Sequence, residues 1–445
     1  MRDQLAWGAI GALLVGLACA SPDGGDGGRT THADGIAGTA LETGASGGDE
    51  SDAGGGDDAA ADSDSDSDGE PEIKFDLGTV PDAPTNCLEA GNDDAYRYIW
   101  VANSSQGTIS KINTTTLIEE GRYVVRPDSA GSPSRTSVNL SGDVAVANRH
   151  GGITKIHARV EDCQEQNGQG GVQTSSGPND VLAWGTEECV AWYTPMNVSS
   201  QRPVAWDQGD FDQATCESWN AKVWTATATA GLVTVFKLSG DDGTIEASAP
   251  ILGITASGYG PYGGAVDGNK DFWFIHRDGS SFPLVRVDAD TLGYTIWPIP
   301  APIGPYGFAI DPEGRPWIAG YQGGIARFDP DDETWQINPD VTGVGIMGDS
   351  LGAMWIAHYP WSTEGVSALD IETMELIDFI AVPSNLGKGV SVDFEGYVWL
   401  VDMTDSAFRI DPDTHAHVVY DGLTGPYTYS DMTGFGLASV TKPQG

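Results

Sequence analysis

A ring of seven antiparallel blades, a β-propeller, is the fold this sequence predicts, and three observations predict it. A Trp-centred frame recurs seven times between residues 98 and 411. Every copy alternates apolar and polar residues at period two, the signature of strands. The copies follow one another at close to the roughly 40–50 residues of a four-stranded blade.

The copies are "YIWVANSSQGTISKIN" (98–113), "DVAVANRHGGITKIHA" (143–158), "KVWTATATAGLVTVFKL" (222–238), "DFWFIHRDGSSFPLVRVD" (271–288), "RPWIAGYQGGIARFD" (315–329), "AMWIAHYPWSTEGVSALD" (353–370) and "YVWLVDMTDSAFRID" (397–411). Their anchors are Trp100, Val146, Trp224, Trp273, Trp317, Trp355 and Trp399, spaced 46, 78, 49, 44, 38 and 44. In the clearest copies an inner strand such as "FAID" ends in Asp, a polar turn follows, and Trp comes six residues after the Asp. Turns such as "DADT", "DIET" and "DPDT" place Asp and Thr where their side chains bond their own backbone. Helical periodicity is absent.

The 78-residue gap contains three cysteines, Cys163, Cys189 and Cys216. "RPVAWDQ" (202–208) reads as the inner strand of the third blade, leaving 159–201 and 209–220 as insertions within a disulfide-stabilised stretch at about 159–220. The first blade lacks an inner strand of its own. "MTGFGLASV" (432–440) has the inner-strand pattern and is expected to supply it, closing the ring without an exposed edge.

Ahead of the ring, Arg2 precedes an apolar segment, Leu5 to Ala18, long enough for a signal-peptide core and too short to span a bilayer. "LACAS" with Cys19 follows and resembles the lipobox of bacterial lipoproteins, which implies a lipidated Cys19 and, with Ala20 next, an outer-membrane protein. The alternative is an ordinary signal peptide cleaved near Ala20 and a secreted chain. Residues 20–72 carry 15 Asp or Glu and one Arg among Gly, Ala and Ser. Such a composition cannot bury enough apolar surface to offset chain entropy and reads as a disordered tether. Domains are therefore expected at 1–18, 19–72 and 73–445.

The last segment holds 13 of the 14 Trp and about −28 of the formal charge of −42. That surface repels nucleic acid and anionic headgroups. Cys87, Cys163, Cys189 and Cys216 are an even set in an exported chain and read as two disulfides of open pairing. No Cys/His spacing suggests zinc.

The Pro-Tyr-Gly, apolar, Asp, Gly, Trp frame with "GIARFD"-type strands resembles the virginiamycin B (streptogramin) lyase-like propellers and the related NHL group, most strongly over 255–412. The resemblance implies a His before the inner-strand Gly, a Glu three residues after the Trp, and Mg2+ stabilising an enolate. Here Tyr262, Tyr306, Val344 and Lys388 stand at the first position. Asn103, Arg149, Thr227, His276, Gly320, His358 and Asp402 stand at the second. The lyase pair is missing, so Mg2+ is expected only if lyase chemistry is rebuilt from the channel-mouth His residues.

The seven positions after the Trp are expected to ring one mouth of the channel, with Tyr262, Tyr306 and Lys388 beside them and Tyr321, Tyr359 and Trp361 as an aromatic rim. His276, His358 and Asp402 read either as part of a metal or ligand site or as groups satisfied by neighbouring backbone; neither a catalytic set nor a metal set is assigned. The sequence thus predicts an envelope-tethered, monomeric binding or scaffold module for an unknown small molecule or envelope protein, the alternative being a propeller lyase or hydrolase.

Overall fold

A computed structural model describes residues 96–212, 217–279, 282–358 and 363–441. Cys19, Cys87, Cys216, Tyr359, Trp361, the signal segment and the acidic tether lie outside them.

Seven sheets follow one another in chain order. Blade 1 holds β1 (Tyr98–Asn103), β2 (Thr108–Asn113) and β3 (Glu119–Val124). Blade 2 holds β4 (Pro133–Val138), β5 (Val144–Asn148), β6 (Ile153–Ile156) and β7 (Val190–Thr194). Blade 3 opens with β8 (Ser200–Trp206), digresses into the hairpin β9 (Asp210–Asp212) and β10 (Glu217–Trp219), and resumes with β11 (Lys222–Thr229), β12 (Leu232–Ser239) and β13 (Ile245–Ile251). Blade 4 is β14 (Pro261–Val266), β15 (Phe272–His276), β16 (Pro283–Val287) and β17 (Tyr294–Pro298). Blade 5 is β18 (Pro305–Ile310), β19 (Pro316–Gly320), β20 (Ile325–Asp329) and β21 (Thr334–Asn338). Blade 6 is β22 (Gly345–Gly348), β23 (Ala353–Ala357), β24 (Gly365–Asp370) and β25 (Leu376–Ala381). Blade 7 is β26 (Gly387–Val392), β27 (Val398–Asp402), β28 (Ala407–Ile410) and β29 (His417–Tyr420). The inner strands β4, β8, β14, β18, β22 and β26 neighbour one another in that order around the axis.

The Asp-to-Trp spacing has a direct physical cause. In blades 4 to 7 the Asp at the end of the inner strand accepts the indole N–H of the Trp: Trp273 to Asp267 at 2.9 Å, Trp317 to Asp311 at 2.8 Å, Trp355 to Asp349 at 2.7 Å and Trp399 to Asp393 at 2.8 Å. The other carboxylate oxygen accepts backbone N–H groups of the turn, as Asp393 does from Glu395 and Tyr397. The indoles are thereby fully buried between blades without losing their donor.

Three expectations need correction. The closing inner segment is not 432–440. Residues 426–432 lie against β1, with Asn103 bridged to Pro426, Tyr427 N–H donating to the Ala102 carbonyl and Trp100 N–H to that of Met432. The residues between bond instead to blade 2, where Ser430 Oγ exchanges hydrogen bonds with Thr136. Phe435–Val440 form a helix, α1, whose N–H groups of Gly434 and Leu437 are held by the Asp431 carboxylate. Leu437 and Val440, three apart on one helix face, belong to the same buried cluster as Phe308, Ile310, Val204 and Trp206 and line a cavity with them.

The second correction concerns blade 2. Ser137 pairs with Ala145 as Ala309 pairs with Trp317, so Ala145, not Val146, occupies the Trp position. The third concerns the insertion: β7 lies within it, so the extra chain of blade 2 is 159–189, pinned by the Cys163–Cys189 disulfide.

The carboxylate bond to the indole is testable. Asp393→Asn puts an amide donor against either the Trp399 N–H or the turn, and a loss of about 1–3 kcal/mol is expected. In the Trp399→Phe background the same change should cost less by about 1 kcal/mol, measured as a double-mutant cycle of unfolding free energies.

Candidate functional site

The ring expected after the Trp positions does not assemble as a site, because each residue serves its own blade. Asn103 is buried and bonds Ser110 at 2.8 Å, while its carbonyl accepts the Thr424 N–H. Thr227 reaches only the Thr234 carbonyl of the adjacent strand. His276 contacts the Thr255 carbonyl at 3.2 Å, and burial lowers its pKa. His358 contacts Ser367 Oγ at 2.7 Å and the Thr363 carbonyl at 3.0 Å, and burial lowers its pKa also. Asp402 accepts N–H groups of Asn385, Leu386 and Thr404 and so holds the loop before β26. Among the described residues no cluster of His, Cys, Asp or Glu is placed to hold a metal ion. In blade 2 the equivalent residue is Asn148, opposite Pro133, and Arg149 lies one further on.

The entries of the inner strands do converge. Strand pairing slips between Pro133 and Arg135, Pro261 and Gly264, Pro305 and Gly307, and Gly387 and Gly389. A β-bulge frees the residue inside it from the pleat and re-aims its side chain. Gly follows that residue where a neighbour's backbone presses close: a Cβ on Gly307 would stand 2.4 Å from the Val344 carbonyl oxygen, and one on Gly389 2.2 Å from that of Thr428. The bulged residues include Tyr262, Tyr306 and Lys388, and the closing segment adds Tyr427 after Pro426, in register with them. The Tyr262 and Tyr427 hydroxyls are 3.0 Å apart, and the Tyr306 hydroxyl bonds that of Tyr427. Lys388 Nζ lies 4.1 Å from the centre of the Tyr306 ring and 5.3 Å from that of Tyr427.

Four arginines complete the cluster. Arg135, 1 % exposed, rests on the Tyr429 ring at 3.0 Å and donates to the Tyr262 carbonyl at 3.0 Å. Arg202, Arg277 and Arg135 approach the Tyr262 ring centre to 5.0, 4.5 and 5.1 Å, within cation–π range. Arg149 covers Tyr427 at 4.9 Å. Tyr259, exposed, and Tyr321, half-buried, flank Arg277 at the rim. The ion pairs among the described residues, such as Arg122 with Glu119, Lys155 with Asp143, Arg286 with Asp271 and Arg315 with Asp311, include none of these four arginines. Arg135 Nη2 and the Tyr429 hydroxyl are buried without a hydrogen-bond partner.

Electrostatics follow from that crowding. Burial alone raises the Tyr262 pKa, but the Arg135 and Arg277 guanidinium groups, with hydrogen bonds from Tyr306 and Tyr427, bring it down to about 7. Burial raises the Tyr306, Tyr427 and Tyr429 hydroxyls above the usual range. Burial, reinforced by the nearby Arg135 and Arg277 charges and opposed by Tyr262, lowers Lys388 to about 7. The inner wall of the mouth is thus cationic, with one acidic phenol at its centre.

Of this cluster the sequence reading named Tyr262, Tyr306, Lys388, Arg149 and Tyr321; it missed Arg135, Arg202, Arg277, Tyr427 and Tyr429. One signal was present for Tyr427: "GPY" occurs at 260–262, 304–306 and again at 425–427. Arg135 stands where the frame has Gly, so the repeat conceals it.

Fold and site together define a seven-bladed β-propeller with a cationic, tyrosine-lined channel mouth. No protein-family model matches the chain, and no curated protein matches it. Among solved structures it is similar to a functionally unknown protein of Desulfotomaculum acetoxidans, at 13 % identity over 75 % of this chain and 98 % of that one, with a TM-score of 0.52. It is similar also to a protein of Bacteroides uniformis described as a candidate 6-phosphogluconolactonase, at 12 % identity over 74 % and 97 %, TM-score 0.51. Virginiamycin B lyase of Staphylococcus aureus aligns at 14 % identity over 65 % and 83 %, TM-score 0.44. At such identities the likeness is one of fold.

Lys388 makes a pH-dependent contribution with a definite sign. Its pKa is lowered from 10.5 to about 7, so between those values the unfolded chain binds the extra proton and stability rises with pH. Below about 7 the cost of the buried charge is fully present. Lys388→Met should therefore raise the melting temperature at pH 6 and flatten its increase between pH 7 and 10, as read by calorimetry.

Proposed function

We propose that this propeller is a non-catalytic binding module whose channel mouth takes a small acidic molecule. The observation that carries the reading is the gathering of Arg135, Arg149, Arg202, Arg277 and Lys388 in one mouth, where none of the four arginines has a carboxylate partner among the described residues, in a chain of formal charge −42. A protein so rich in Asp and Glu could have paired those four arginines; a ligand that supplies the charge is the simpler account. The streptogramin lyase alternative lacks its His and Glu, and Tyr and Lys at the entry offer recognition by ring faces and charge instead.

Equilibrium dialysis of the full chain against a mixture of acidic, neutral and basic small molecules, read by mass spectrometry, tests this. Acidic members should be retained, and Arg277→Ala should reduce the retention about tenfold or more. Retention of neutral or basic members alone, or none that Arg277→Ala alters, overturns the choice of face and ligand. Incubation with a streptogramin B antibiotic and Mg2+ should leave the antibiotic intact; a linear elimination product would restore the lyase reading.

We infer further that Cys19 carries a lipid and that the acidic stretch to residue 72 holds the propeller away from the outer membrane. Metabolic labelling with an alkyne fatty acid should mark the wild-type chain, and Cys19→Ser should abolish the label and release the protein in soluble form. Labelling that survives Cys19→Ser would sink this anchoring.

A further inference from the structure

Three guanidinium groups within about 5 Å of one tyrosine ring repel one another, and only a negative charge placed among them relieves that repulsion. The chain offers one such charge of its own. We propose that Arg135, Arg202 and Arg277 form an oxyanion site in which the ionised Tyr262 hydroxyl serves as the resident counter-ion when no ligand is bound. A ligand's carboxylate, sulfate or phosphate group replaces it, and Tyr262 takes up a proton as the ligand enters. The inference rests on the anionic-ligand reading above and names the group recognised and the proton that accompanies it.

Geometry supports each part. Arg135 is held by its Nε on the Tyr262 carbonyl and by Nη1 on the Tyr429 carbonyl, which leaves buried Nη2 as the free donor. The Tyr429 hydroxyl beside it is buried and unpartnered as well. Arg277 spreads over Tyr262, Tyr306 and Tyr321 at 4.5 to 5.1 Å, and a guanidinium stacked on ring faces keeps its in-plane N–H edges for an oxyanion. The Tyr262 hydroxyl already has Tyr427 as a neighbour at 3.0 Å, so it can ionise while keeping a donor.

The charged and titratable groups that face Tyr262 are countable. Blade 2 sends Arg135, blade 3 Arg202, blade 4 Arg277 and Tyr259, blade 5 Tyr306, blade 7 Lys388, and the closing segment Tyr427 and Tyr429. Of these only Lys388 shares the neutral range with Tyr262. Loss of charge on Lys388 would also weaken anion binding as pH rises, so the two must be separated by variants.

The experiment is an ultraviolet difference titration of tyrosinate in the full chain, with and without sodium sulfate, against sodium chloride at equal ionic strength. Without sulfate, one tyrosinate should form near neutral pH, and Tyr262→Phe should remove that step. At pH 8 sulfate should suppress the signal saturably in the wild type and not in Arg277→Ala, while Arg277→Lys gives partial suppression if the alanine variant misfolds. Acetate in place of sulfate tests a carboxylate source. In a Lys388→Met background the apparent sulfate affinity should fall about tenfold per pH unit above neutrality and become flat when Tyr262→Phe is added.

A wild-type chain with no tyrosinate below pH 9 overturns the proposal. So does a fall in affinity that Lys388→Met alone removes, which would assign the proton to Lys388, or one that persists unchanged when Tyr262→Phe is added to it. A tyrosinate that neither sulfate nor acetate suppresses beyond chloride removes the oxyanion site; dialysis with acidic ligands then reports separately whether the mouth is still the binding face.

Discussion

The indole–carboxylate bond between the first two strands of a blade is the constraint on which the rest of the molecule depends. A Trp side chain fills the space between neighbouring blades with a large apolar surface, and leaving its N–H unpaired in a region without water, as it is left at Trp100 and Trp224, is costly. The Asp six residues earlier accepts that N–H and closes the strand turn with its second oxygen. Because the bond recurs in blades 4 to 7, those inner strands start at the same level and in the same register. Tyr262, Tyr306 and Lys388 are level at the mouth for that reason, although they are far apart in sequence.

The entries of the inner strands depart locally from that regularity. The residue three after the Trp is paired in the sheet or caps a loop: His276 and His358 each contact one neighbouring backbone carbonyl, His358 also bonds Ser367 Oγ, and Asp402 accepts backbone N–H groups of its loop, while His276 Nδ1 is buried without a partner. The residue after the Pro sits in a bulge and is released toward the axis. The two positions lie on facing strands, and both are largely buried: Tyr262, Tyr306 and Lys388 are 1, 7 and 3 % exposed, and His276 is 1 %. A propeller can therefore hold the ring constant by keeping Asp, Gly and Trp while the bulged residue changes from Tyr to Lys.

This division also explains what was legible in the sequence. The seven blades could be read because the Trp frame repeats, and the inner strand of blade 3 because "RPVAWDQ" keeps the apolar run and the Asp. The blade 2 anchor was displaced by one residue because Ala145 replaces Trp and leaves Val146 as the larger apolar side chain. The closing segment was misplaced because "FGLASV" alternates well enough to pass for a strand, whereas Leu437 and Val440 act at helical spacing behind an Asp431 cap. The arginines were hidden for a different reason. Arg135 replaces a Gly of the frame, Arg202 stands at the bulged position of blade 3 but follows Gln201 where the frame has Pro, and Arg277 comes one residue after the ring position. No single column of the repeat contains them, and only folding brings three blades' arginines onto one ring.

Burial of like charge is costly, and the cluster reduces that cost without removing it. Tyrosine faces stabilise guanidinium groups by about 0.5–2 kcal/mol each, less than full pairing with a carboxylate in a dry site would give. Nothing in the fold demands the arrangement: Lys388 could be Tyr or Val, as at the equivalent entries of blades 5 and 6, and Arg135 could be Gly. The surrounding acidic surface adds little relief at the mouth, since charges more than about 10 Å away are screened at ordinary salt. A structure that keeps uncompensated arginines around a phenol pulled down to about 7 is holding stability in reserve for an event that supplies negative charge. On the proposed reading, the bound state rather than the empty ring is where those charges reach balance.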